Sequence, residues 1–143
     1  MGWRDAARVS QQVLENRDSR YPDPYLELLR LGVQHTKEEV VVTLFFAGAT
    51  VTGAVITLDE WERRTLRELK KHSSDVPRVA AEAMQALDDR AEEQRTARPD
   101  TDSPFVHLHD ATYRSGRDHF AVRTWRGPIT GILGWTVGEL TPA

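Results

Sequence analysis

The stretch from residue 40 to residue 58 constrains this chain more than any other. Val40, Val42, Leu44 and Phe46 alternate with Val41, Thr43 and Phe45, and both sides of the segment are largely apolar. β-branched and aromatic residues in period-two alternation suit a pleated, buried strand. Ala47-Gly48-Ala49 supplies a turn, and Val51, Ala54, Val55, Ile56 and Leu58 continue as a second strand. The whole reads as a β-hairpin, with Gly53 marking a bend or bulge of the kind that small barrels use at corners.

Helical patterns flank the hairpin. Residues 3–15 carry Trp3, Ala6, Ala7, Val13 and Leu14 in a loose helical pattern that Asn16-Arg17-Asp18-Ser19-Arg20 breaks. Residues 1–20 are therefore expected as a peripheral helix or tail, and residues 21–143 as a single α+β domain. In Pro22-Asp23-Pro24, Asp23 suits an N-cap and Pro24 the first helical position. A helix over residues 24–31 follows, with Tyr25, Leu28, Leu29 and Leu31 on its apolar side and Gly32 as its C-cap. Thr57-Leu58-Asp59-Glu60 fits a capping box. Leu58, Trp61, Leu66 and Leu69 then recur at helical spacing up to His72-Ser73-Ser74. A second helix starts near Pro77, with Val76, Val79, Ala80, Ala83, Met84, Leu87 and Ala91 on one stripe. Both helices form an insertion over residues 59–98, which ends in a polar linker.

The remaining residues return to β structure. Residues 105–109 alternate cleanly, a turn is expected around Gly116, residues 119–126 form another strand, and residues 129–137 a last one interrupted by Gly131 and Gly134. The expected class is α+β: a small five-stranded antiparallel, barrel-like sheet of SH3 or Sm type. It carries an N-terminal helix and a two-helix insertion between strands two and three. A more open antiparallel sheet covered by helices satisfies the same order.

Composition narrows the chemistry. With no cysteine among 143 residues, disulfide scaffolds, cysteinyl zinc sites and thiol nucleophiles are excluded, which fits a reducing, cytoplasmic setting. No apolar run approaches the roughly 18 residues of a spanning helix, so no membrane role is expected. The first residues, with Arg4, Asp5 and Arg8, lack a signal-peptide core. The net charge is −3, and no segment holds the basic excess that nucleic-acid binding requires.

The constellations that could carry chemistry are few. His107 and His109 sit two apart on one strand and His119 lies across a hairpin, with Asp110 or Asp118 nearby, so a metal-dependent enzyme is one reading. Solvent-facing residues on a half-buried strand are the plainer one, and no metal or cofactor is expected. The serines lie in polar helix or turn contexts outside any nucleophile elbow. Glycines 127, 131, 134 and 138 match no phosphate loop. No catalytic residue is assigned. Tyr113, Arg114, Arg117, Phe120, Arg123, Trp125 and Arg126 interleave aromatic and basic groups as single-stranded nucleic-acid binders do, but near-neutral charge argues against that partner. Trp125, Arg126, Gly127, Trp135 and Arg123 are the candidate protein-binding residues, because Trp and Arg dominate interface hot spots.

Several blocks together resemble a known family. Val42-Thr43-Leu44 through Gly48, Val51-Thr52-Gly53 and Val55-Ile56 are similar to the first hairpin of the gas vesicle accessory proteins of the U type. The likeness continues through Phe105-Val106-His107-Leu108-His109-Asp110-Ala111, Trp125-Arg126-Gly127, and Gly134-Trp135 with the closing Gly138. The resemblance implies a non-enzymatic cytoplasmic protein that contacts other gas-vesicle proteins, self-associates, and influences how vesicles assemble or cluster. The same hairpin, with Gly48 and Gly53, is also similar to an Sm-type barrel. That alternative implies a ring-forming RNA-binding protein.

Overall fold

The apolar hairpin forms as its alternation predicts. In the computed structural model, β1 (Val41–Phe46) and β2 (Ala49–Val55) pair antiparallel, joined by a turn at Ala47-Gly48. The structure describes residues 23–36, 38–72, 76–95 and 105–143, and the expected helix within residues 1–20 lies outside them. β3 (Phe105–Ser115) and β4 (Asp118–Pro128) form a longer hairpin, and β5 (Gly134–Val137) follows a short 3-10 turn at Ile129–Gly131. The strands assemble into one antiparallel sheet in the order β4-β3-β2-β1-β5. The class is α+β with an open sheet. Barrel closure would require a β4–β5 ladder, and none is present among the described residues.

Register decides what each face buries. The row Trp135, Leu44, Val51, Tyr113, Phe120 crosses all five strands on the core face. Val42, Val55, Val106 and Leu108 share that core with Leu44 and Val51. Burying each such side chain contributes roughly 1.5–3 kcal/mol. The opposite face carries the row Thr136, Thr43, Thr52, Thr112, Ala121. Thr43 is fully buried there, and its hydroxyl donates to the Gly138 carbonyl at 2.8 Å. Its single proton is thereby used, so the 2.8 Å contact between the Thr43 and Thr52 hydroxyls is donated by Thr52.

The bend expected at Gly53 is present as a bulge. Thr52 pairs with Thr112 and Ala54 with His109, so Gly53 faces two residues of β3, Asp110 and Ala111. A Cβ at Gly53 would lie 3.1 Å from Ala111 and from the His109 carbonyl, which is why glycine stands there. Asp110 takes a φ of 47°, a left-handed conformation that Asp tolerates better than most residues.

α1 (Pro24–Thr36) begins where Pro22-Asp23-Pro24 indicates. Asp23 Oδ1 accepts from the Tyr25 amide at 2.9 Å, and Asp23 Oδ2 accepts from the Trp135 indole N–H. One carboxylate thus caps the helix and ties it to β5. Asp23→Ala is expected to cost about 1–2 kcal/mol through the lost cap and the orphaned indole donor. A urea midpoint equal to wild type would contradict this role. Two details differ from the sequence expectation. Gly32 is buried inside the helix, which runs on to Thr36, rather than capping it. Tyr25 is 72% exposed, and the sheet is covered by Leu26 and Val33 together with Leu29. Buried Glu27 pairs with Arg30, whose guanidinium donates to the Phe105 carbonyl at 2.7 Å and fixes α1 against the start of β3.

The chain divides into two compact units: the sheet with α1, and the segment Leu58–Ser103. The second contains α2 (Leu58–His72) and α3 (Val76–Arg95), which pack on each other. α2 has acids in its first turn and bases in its last, matching the helix dipole. The Arg64 hydrogen bond holds the Glu60 carboxyl below its ordinary range, and Arg63 also pairs with Glu60. No residue of α2 is buried. The stripe expected on α3 is only partly covered: Ala80 and Met84 are half-buried, while Val76, Val79 and Leu87 are exposed. A single neighbouring helix is narrower than the stripe it would have to cover.

Candidate protein-interaction surface

Trp125 is half-buried because β4 aims it at the core. It pairs with Leu108, packs against the core cluster, and meets the Phe46 ring at a centroid distance of 5.5 Å and a 58° tilt. Its indole lies directly over Gly127, where a Cβ would stand 2.2 Å from Trp125 Cη2. Gly127 is therefore the floor beneath the tryptophan. Trp135, opposite Leu44 on β5, also packs on the core, with its N–H on Asp23.

Arg126 is exposed on the other face, its guanidinium carbon 4.0 Å from the Phe105 ring centroid. At that distance the cation interacts with the ring's π face. Arg123 is exposed on the edge strand β4. The five residues named from sequence thus lie near both edges of the sheet, with the two tryptophans turned inward and the two arginines outward. The aromatic and basic residues of the β3–β4 hairpin do not form one platform. Tyr113 pairs with Phe120 on the core face, and Arg114 with His119 on the opposite one.

Sequence reading passed over the apolar residues beside β5. Leu133 is 74% exposed and Val137 62%, while Leu140 is less so at 37%. Their signal is present in Ile132-Leu133 and Val137, but strand alternation alone does not say which of them a neighbour covers. Val42, the partner of Val137, is buried. Val137 is exposed because β5 is the edge strand.

The histidines separate. His107 and His109 share the face opposite the core, but His119 lies across from Arg114, about 16 Å along the strand from His109. Among the described residues no group of three or more His, Asp or Glu is placed to hold a metal. His107 is buried, and desolvation first, then the charges of Arg126 and Arg30, lower its pKa to about 4. His109 is nearly buried between two carboxylates, Nε2 at 2.8 Å from Glu39 and Nδ1 at 3.0 Å from Asp110. No described helix is long and apolar enough to cross a membrane.

Comparison with curated proteins and with solved structures finds no match. The protein family described as "Gas vesicle protein GvpU-like" matches residues 23–140. That span opens on the Asp23 cap of α1 and closes just beyond β5, taking in every strand of the sheet. It covers most of the chain, and the protein belongs to the GvpU-like family of gas vesicle proteins.

Proposed function

We propose that this protein is a non-enzymatic, cytoplasmic gas-vesicle accessory factor that mediates protein–protein contacts during vesicle assembly or clustering. The family match over residues 23–140 carries this reading. In it, the chain self-associates and grips other gas-vesicle proteins through the sheet edges. The contact residues are Trp125, Arg126, Gly127, Trp135 and Arg123, joined by exposed Leu133 and Val137. Exposed Leu133 and Val137 with half-buried Trp135 at the β5 edge, and Arg123 and Arg126 with Trp125 at the β4 edge, are residue types that interfaces favour. An unpaired edge strand also offers main-chain donors and acceptors to a partner.

The test is affinity capture of tagged protein from cells making gas vesicles, combined with microscopy of vesicle clustering. Shell or accessory proteins should co-purify. Val137→Glu together with Arg123→Glu should reduce their recovery at least about tenfold, since each anchor is worth on the order of 1–2 kcal/mol, with an unchanged melting temperature. Recovery of RNA at physiological salt, or unaltered clustering and capture in the double variant, would overturn the proposal.

A further inference from the structure

The face of the sheet opposite the core holds a cavity of about 250 Å³. Its floor is Val41, Ala54, Thr52 and Thr112, contributed by three adjacent strands around the Gly53 bulge. Each wall is fixed by a specific contact. His109 holds Glu39 of the α1–β1 connection and Asp110 of the bulge, using both ring nitrogens. On the far side the Gly138 amide donates to the Val41 carbonyl at 2.8 Å, and the Gly138 carbonyl receives the Thr43 hydroxyl. These two bonds place Glu139 and Leu140 at the rim.

The charges divide into satisfied and open ones. Glu39 and Asp110 are engaged by His109. Arg114 and Glu139 both line the cavity and are exposed, and neither has an ion-pair partner among the described residues. Thr112 offers a half-buried hydroxyl on the floor near Arg114. An open guanidinium and an open carboxylate lining one small polar cavity complement a molecule carrying the reverse pair. The volume lies below the range of drug-sized pockets, so the occupant is small, on the order of ten non-hydrogen atoms.

We infer that this cavity is a binding site for a small zwitterion of the α-amino-acid type, its carboxylate on Arg114 and its ammonium on Glu139. Val41 on the floor and Leu140 at the rim offer apolar surface for a short side chain. The site is separate from the protein-interaction surface proposed above and does not depend on it.

The experiment is an amide NMR titration of the full chain with L-alanine, with acetate and methylammonium as single-charge controls. Saturable shifts are expected at Thr52, Gly53, Ala54, Thr112 and Glu139, with a Kd on the order of 1 mM, since both charged contacts are solvent-exposed. Arg114→Gln and Glu139→Gln should each weaken binding about tenfold. Both side chains are exposed, so the melting temperature should stay the same and separate lost binding from lost fold. The inference is overturned if L-alanine gives no saturable shift up to tens of millimolar. It is also overturned if acetate alone reproduces the pattern, or if the two variants bind as wild type does.

Discussion

Gly127→Ala is expected to destabilise the sheet unit by about 1–3 kcal/mol, the scale of an added methyl that displaces a packed side chain. The new Cβ would sit 2.2 Å from Trp125 Cη2 and 2.4 Å from Cζ2, so the indole must leave its position. Moving it forfeits the contact with Phe46 and the cover that Trp125 gives the core cluster. Backbone strain is not the cause, because the penalty comes from a side chain two residues away on the same face. Trp125→Ala is expected to cost a similar amount, about 2–3 kcal/mol, the ring being only half-buried. The double variant should then lose little more than either alone, since alanine at 127 no longer meets an indole. Urea denaturation followed by circular dichroism measures all three. Additive losses, or a Gly127→Ala protein as stable as wild type, would remove the explanation. Trp125→Ala is for the same reason a poor probe of partner binding, which is why the capture experiment uses Val137 and Arg123.

The second large effect is in pH. His107 is 4% exposed on the far face of β3, and burial together with Arg126 and Arg30 lowers its pKa to about 4. In the unfolded chain the same ring titrates at about 6.5. Between these values the unfolded state takes up a proton that the folded state refuses, so stability rises with pH across this window and falls as the solution is acidified. The full difference is on the order of 3 kcal/mol, nearly absent at pH 7.5 and complete below pH 4. His107→Gln has no proton to gain and should flatten this part of the profile. Denaturation midpoints at pH 7.5, 5.5 and 4.5 for both proteins isolate the contribution, because other titrating groups cancel in the difference. Parallel profiles would show that His107 is not held neutral.

Local chemistry made much of the sheet unit legible. The β1–β2 hairpin, its turn at Gly48 and the bulge at Gly53 follow from alternation and glycine placement, and Asp23 caps α1 as its flanking prolines indicate. The errors occur where tertiary contacts override a local signal. Gly32 reads as a helix stop, yet burial carries the helix four residues further. The segment of residues 129–137 reads as a strand interrupted by Gly131 and Gly134, but a 3-10 turn takes Ile129–Gly131 and only Gly134–Val137 form β5. β3 and β4 extend beyond their alternating cores, to Ser115 and Pro128, because each ladder supports the other through polar ends. The site was less legible than the fold. Register, which no single strand encodes, separates His119 from His107 and His109, turns both tryptophans inward, and builds a cavity from residues 39 to 140.

The shortest strand has a consequence beyond pairing. β1 reads Val-Val-Thr-Leu-Phe-Phe, six uncharged residues of high strand preference, and β5 is what stands between that segment and the outside of the sheet. Without those four residues, β1 would present a flat, apolar edge with free amides and carbonyls, the template on which cross-β aggregates grow. Thr43, whose hydroxyl is spent on Gly138, would also be left open. β5 is therefore a gatekeeper: by pairing with β1 it covers the edge on which such growth would start.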